Sequence, residues 1–251
     1  MERTERAGWR WGPGRLLDLA YPPRCEACGT GLSHGRCLCP ACYGALPRLQ
    51  EPFCQRCGEP FEGRIDGRFD CPNCSRLSFS FEFARPAMVW DEVTRGLIHQ
   101  LKYHRAIHLA GELGRLAAEG LDDPRFTDAL AGGWPLVPVP VHRTRLRHRH
   151  FNQAAEIARG VATHSGLPVV AALGRIRRTD TQTRLSRKER LKNLTGAFAL
   201  SAAGHRWLAH STAGVIVVDD VLTTGSTVEA CAATLRAGGC QRVQVLTAMR
   251  G

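Results

Sequence analysis

Apolar positions fall into two regimes along the chain. Before about residue 90 helical periodicity is scarce, and the one short amphipathic run, Leu16-Leu17-Asp18-Leu19-Ala20, stops at Pro22-Pro23. Alternating Phe79, Phe81 and Phe83 bridge into a second half where β-rich and helical patterns take turns. Val215-Ile216-Val217-Val218 reads as a buried parallel strand with Asp219 and Asp220 at its C-terminal end. A helix then starts at Ser226 or Thr227, with Val228, Ala232 and Leu235 on one face. Leu136 to Val141 reads as another strand, although its prolines demote it on local rules. After it, Phe151-Asn152-Gln153 opens a helix that buries Ala154, Ala155, Ala158, Val161 and Ala162 and ends at Gly166. This alternation predicts an α/β domain over residues 85–251, preceded by a Cys-, Gly- and Pro-rich domain over residues 1–84.

Composition narrows the classes. Of 251 residues 43% are hydrophobic, which excludes wholesale disorder, and no apolar run approaches the roughly 20 residues needed to span a bilayer. Arg3, Arg6, Arg10 and Arg15 are not followed by an apolar core, so no export signal and no membrane insertion are expected. The expected compartment is the cytoplasm, where thiols stay reduced, and an odd cysteine count of 11 agrees with that.

Nine of those cysteines lie between Cys25 and Cys74. Eight form four C-x2-C pairs: Cys25 with Cys28, Cys39 with Cys42, Cys54 with Cys57, and Cys71 with Cys74. Such a pair lets two thiolates from one tight turn reach a single tetrahedral Zn²⁺, and two turns complete a closed site. Two structural zincs are expected. The spacing admits pairing in sequence order, or first with third and second with fourth. Gly29 and Gly58 each follow a second cysteine, as a left-handed turn would favour. Cys37 is read as a spectator that could replace Cys39, as could His34. Metal binding would supply much of the folding energy of this half.

The formal charge of +11 is unevenly spread. Residues 1–84 hold 11 Lys/Arg and 10 Asp/Glu, whereas residues 85–251 hold 23 and 13. A zinc held by four thiolates is formally −2, so two sites lower the total to about +7 and leave the first half near −3. The basic character belongs to the second half and points to a phosphate-bearing partner.

The strongest chemical signal is Val215-Ile216-Val217-Val218-Asp219-Asp220-Val221-Leu222-Thr223-Thr224-Gly225-Ser226-Thr227. Ligands of open α/β sheets bind outside the carboxyl ends of the strands. A Gly-containing loop leading into a helix N-terminus offers converging N–H groups for a phosphate. No G-x4-G-K-[ST] occurs, so the chain is not a P-loop NTPase.

Val217 to Thr227 resembles the phosphoribosyl pyrophosphate (PRPP) motif of type I phosphoribosyltransferases. With the cysteine knuckles upstream, the chain from about Leu16 to Gly251 resembles the ComF/GntX family. That family comprises competence-associated, phosphoribosyltransferase-like proteins with an N-terminal double zinc ribbon. The resemblance implies a type I phosphoribosyltransferase-like parallel sheet with helices on both faces. It implies that Asp219 and Asp220 hold the ribose hydroxyls and act in catalysis. The backbone and hydroxyls from Val221 and Leu222 through Thr223, Thr224, Gly225, Ser226 and Thr227 would cradle the phosphate, with Mg²⁺ arriving on PRPP.

The resemblance extends to other segments. His142-Arg143-Thr144-Arg145-Leu146-Arg147-His148-Arg149-His150 corresponds to a pyrophosphate loop, with Arg143 and Arg145 as candidate contacts. The family usually shows R-G-F-N-Q, and here His150 replaces the glycine, which His tolerates less well if the backbone is left-handed there. Arg175 through Phe198 resembles a mobile lid, with Arg178, Gln182, Lys188 and Arg190 as candidate contacts. Lys102 matches another recurrent position and is expected beside the site. The acceptor would be chosen by a variable hood in residues 85–135 and 196–212. The implied function is PRPP binding, and phosphoribosyl transfer where an acceptor exists, in or alongside DNA uptake for competence. The other implied reading is a non-catalytic module that handles single-stranded DNA or contacts other competence-machinery proteins.

Overall fold

β-branched residues supply the centre of a parallel sheet. A computed structural model of the protein describes residues 22–32, 37–65, 67–104, 106–177, 189, 193–211 and 213–251. Its strands are β1 (Ala84–Val89), β2 (Leu136–Pro138), β3 (Leu173–Arg175), β4 (Phe198–Leu200), β5 (Val215–Leu222) and β6 (Val243–Arg250). Four of them form a sheet in the order β1-β6-β5-β2, every pair parallel, while β3 and β4 form a separate antiparallel pair. The helices are α1 (Pro40–Ala45), α2 (Glu92–Tyr103), α3 (Leu109–Ala118), α4 (Thr127–Ala131), α5 (Arg143–Arg149), α6 (Gln153–Ser165), α7 (Ala202–His210) and α8 (Ser226–Ala237). None is long and apolar enough to cross a membrane, among the described residues. The amphipathic run at 16–20 lies outside them.

The two faces of β5 explain the layering. Val215 and Val217 join Val228, Cys231, Ala232 and Leu235 of α8 in one apolar cluster. Side chains alternate along a strand, so Ile216 and Val218 face the other way, where α6 packs. Helices α3 and α6 cross closely there. A Cβ on Gly114 would lie 2.6 Å from the Gly160 Cα, so this crossing requires glycine. The buried face of α6 runs through Gln153, Ala154, Ile157, Ala158 and Val161. Ala155 and Ala162, expected inside, are half-buried, because the i, i+3, i+4 stripe passes through Ile157 instead. Its C-cap is Gly166, at φ 73°.

Two strands differ from expectation in length. Pro138 ends β2 after three residues, so the prolines shorten that strand without abolishing it. Strand β5 runs on to Leu222, which puts both acids within the strand and not beyond it.

The compact units divide between Ala45 and Leu46. Residues 46–49 belong with the sheet because they line its β1 edge: Leu49 N–H donates to the Ala87 carbonyl (2.9 Å) and Val89 N–H to that of Pro47 (2.9 Å). The unpaired edge of β1 is thereby covered. The third and fourth cysteine pairs therefore share a unit with the α/β sheet, and the 84/85 division expected from composition separates chemistries within it.

Candidate functional site

Short spacing along the chain gathers eight thiolates into two clusters. The Sγ atoms of Cys25, Cys28, Cys39 and Cys42 lie within 4.8 Å of one another, as do those of Cys54, Cys57, Cys71 and Cys74. Zinc–sulfur bonds of about 2.3 Å in a tetrahedron require edges of about 3.8 Å. Cys28 to Cys39 and Cys57 to Cys71 are each 3.8 Å. Both clusters fit a four-cysteine zinc centre, with the pairs combined in sequence order. Backbone N–H groups support the sulfurs, Cys39 N donating to Cys25 Sγ (3.4 Å) and Cys71 N to Cys54 Sγ (3.2 Å). Gly29 and Gly58 take φ 75° and 67°, the left-handed turns anticipated. Cys37 stands outside both clusters, and His34 lies outside the described residues. Crowded thiols titrate apart: hydrogen bonds to Thr30 hold Cys28 down at about 6, while those to Cys28 and Cys39 push Cys42 up to about 12. A metal must displace the protons this crowding retains.

At the carboxyl end of β5 the acid pair meets a cation. Helix α2 starts in a capping box between Asp91 and Thr94 and buries Leu97, Ile98 and Leu101. That rotation aims Lys102, in its last turn, at the sheet: Nζ lies 2.9 Å from Asp220 Oδ2. Asp220 is 4% exposed. Asp219 is half-buried, and its carboxyl is pushed up to about 8, first by burial and then by the Asp220 charge, with Lys102 opposing.

The hydroxyl loop follows directly. Val221 and Leu222 complete β5; the Leu222 carbonyl accepts from Gly251 N (2.9 Å) and from Arg250 Nη1 (2.9 Å). Thr223 is exposed, Thr224 Oγ1 and Ser226 Oγ are 3.0 Å apart, and Thr227 sits in the first turn of α8. Gly225 is left-handed (φ 75°) and brings no side chain to cap α8, and Thr224 Oγ1 accepts from Ser226 N (3.5 Å) at its start. One turn on, Glu229 accepts from Ser80 N (2.9 Å) and Ser80 Oγ (2.7 Å), which anchors the helix to the segment after Cys74.

Beside this lies the basic loop. Val139 N donates to the Val218 carbonyl (2.9 Å), so the chain leaves β2 next to Asp219. Helix α5 then carries Arg143, Arg145, Arg147 and Arg149 with no buried residue. His150 is its C-cap at φ 68°, and it alone among the described non-glycine residues has positive φ. Asn152 ties the loop back: its Nδ2 donates to the Val139 carbonyl (3.0 Å) while its Oδ1 accepts from Ala154 N (3.1 Å). A cavity of about 580 Å³ opens between this loop and β3, lined among others by Arg143, Leu146 and Arg175.

Thus Lys102 meets Asp220 beside Asp219, Val221 and Leu222 belong to the strand, residues 223–227 follow it into α8, and Arg143 lines the cavity beside the basic loop. Arg178, Gln182, Lys188 and Arg190 lie outside the described residues. Arg175 is the residue sequence reasoning missed, because it was grouped with the lid. It sits in β3, its guanidinium 5.4 Å from the Phe198 ring centroid. Burial and then nearby Arg145 pull its pKa down, and Asp219 opposes them.

Comparison with known proteins adds independent information. Residues 16–76 match the double zinc ribbon domain. The chain is 31% identical over 229 residues to DNA utilization protein YhgH of Escherichia coli strain K12, covering 90% of this chain and 96% of that one. Against YhgH of Salmonella typhimurium it is 30% identical over 230 residues, with the same coverage. Against Competence protein F of Haemophilus influenzae it is 28% identical over 209 residues, covering 83% of this chain and 88% of that one.

Proposed function

The chain belongs to the ComF family, and from that premise we propose that it binds PRPP together with Mg²⁺ and acts in or alongside DNA uptake or utilisation. One observation carries this reading: the acid pair of β5 adjoins a hydroxyl-lined helix start, N-capped by left-handed Gly225, at the carboxyl edge of a parallel sheet. Asp219 and Asp220 accept hydrogen bonds from the ribose hydroxyls. The N–H groups and hydroxyls of residues 223–227 take the 5′-phosphate. Mg²⁺ on the pyrophosphate and ribose oxygens would offset charge on the leaving group. Arg143 and Arg145 add positive charge on that side. In transfer, an acceptor nitrogen donates its lone pair to C1′ as the C1′–oxygen bond breaks. Pyrophosphate leaves with that bond's electrons, and any nitrogen-bound proton passes to the acid pair.

Isothermal titration with PRPP and Mg²⁺ tests the reading. Saturable binding that is lost in Asp219→Asn with Asp220→Asn is expected, and no binding to the intact, zinc-loaded chain overturns it.

The second reading, a module that handles single-stranded DNA, is favoured by the relatives' names and by the arginine-rich α5, none of whose residues is buried. It predicts binding whose logarithm falls linearly with that of salt concentration. The double Asn variant should leave it intact, which separates the two activities.

A further inference from the structure

The segments of the second thiolate cluster hold both ends of the hydroxyl loop. Two residues past Cys57, the Glu59 carboxylate pairs with Arg250 Nη2. Arg250 Nη1 in turn donates to the carbonyl of Leu222 (2.9 Å), the last residue of β5 before Thr223. The Arg250 side chain is 12% exposed, and its planar fork fixes both contacts at once. Six residues past Cys74, Ser80 gives its N–H (2.9 Å) and its hydroxyl (2.7 Å) to Glu229, in the first turn of α8. Glu229 N donates to the Gly225 carbonyl (2.9 Å). Residues 223–228 are thus bracketed by Leu222 on one side and Glu229 on the other.

The brackets share one frame. Ala84 N donates to the Arg56 carbonyl (2.9 Å), and a Cβ on Gly58 would lie 2.4 Å from Pro86 Cδ, so this knuckle is pressed against β1. Cys57 Sγ and Cys71 Sγ are 3.8 Å apart, and closing the cluster fixes the two knuckles relative to each other. All of these residues belong to one compact unit. The loop needs such a frame, because glycine has the freest backbone of any residue and N–H groups hold a phosphate only where they converge. Charge enters as well. A carboxylate in the first turn of a helix competes for the N–H groups that a phosphate needs, and Ser80 engages both oxygens of Glu229.

We propose that the second cysteine cluster is a clasp for the hydroxyl loop. Glu59, through Arg250, and Ser80, through Glu229, are positioning residues that set the geometry in which residues 223–227 take an anion. The inference rests on the PRPP reading for the identity of that anion.

Two measurements on the zinc-loaded full chain test it: hydrogen exchange of the 223–227 amides without ligand, and isothermal titration with PRPP and Mg²⁺. Glu59→Gln and Ser80→Ala should each speed exchange of those amides about tenfold while leaving α6 unchanged, and combined they should weaken PRPP about tenfold. Glu59→Gln removes a negative charge, which by Coulomb attraction alone would tighten an anion, so weaker binding reports geometry. Ser80→Thr, which keeps the hydroxyl, should retain most of both readouts. Glu119→Gln, which alters the 3.0 Å ion pair with Arg48, is the control and should move neither. Unchanged exchange in either variant, or PRPP affinity unchanged or raised in the combined one, overturns the proposal. So does an equal loss in Glu119→Gln, which would mark general loosening. Exchange that responds as expected in a chain that binds no PRPP upholds the clasp and removes only the PRPP reading.

Discussion

Lys102 Nζ stands 2.9 Å from Asp220 Oδ2, a contact between the last turn of α2 and the acid pair of β5. The Asp220 side chain is buried, so its charge depends on this partner far more than a surface pair would.

Replacing Lys102 by Met should therefore cost about 3 kcal/mol, because it strands a buried carboxylate. Adding Asp220→Asn should recover most of the loss. Urea denaturation of both single variants and the double gives the coupling directly, and simple additivity would show that the pair contributes nothing.

Asp219 makes stability fall with pH. Its carboxyl is held up at about 8 in the folded chain by burial and by Asp220, against an ordinary value of 3.8. Between about pH 4 and pH 8 the folded state keeps a proton that the unfolded state has released, so this group's contribution declines as pH rises across that window. Asp219→Asn should flatten the stability profile between pH 5 and pH 8 by at least about 1 kcal/mol. An unchanged profile would mean that Asp219 is ionised throughout.

His150 holds a backbone conformation that suits glycine. At φ 68° it closes α5, and His150→Gly should raise stability by about 0.5–1 kcal/mol, after allowing for the looser unfolded chain. His150→Val should lower it by more. Denaturant midpoints at constant slope report both.

Metal analysis should find two zincs per chain, and they should leave unequally. Cys28 of the first cluster is exposed, whereas Cys54, Cys71 and Cys74 of the second are buried together against Phe69 and Phe79. Chelator titrations should release one zinc readily without loss of the larger unit's helical signal. The second should come away only as that unit unfolds. Simultaneous release would contradict this order.

Much of this was legible because it is written in short-range pattern. Four C-x2-C pairs specify the eight ligands, since two thiolates from one turn suffice to define half a site, but only the fold decides that the halves combine in sequence order. The run from Val215 to Thr227 specifies strand, acids and loop within thirteen consecutive residues. Even His150 was flagged, because a missing glycine is a local signal. What stayed hidden depends on tertiary placement. Nothing near Arg175 distinguishes it from its basic neighbours until β3 pairs with β4 and brings it over Phe198. The link between Glu229 and Ser80 spans 149 positions, and the attachment of residues 46–49 to β1 is a matter of hydrogen bonds that no side-chain pattern encodes.

The strand order has a consequence for how the molecule is made. β1 is joined along its inner edge by β6, the last strand, with Ala84 opposite Val245 and Val89 opposite Arg250. During synthesis β1 emerges long before β6, and that edge waits for every intervening element before it is paired. Such non-local closure is slow and leaves a strand open to wrong partners meanwhile. Residues 46–49, which emerge before β1 and cover its other edge, halve that exposure from the start.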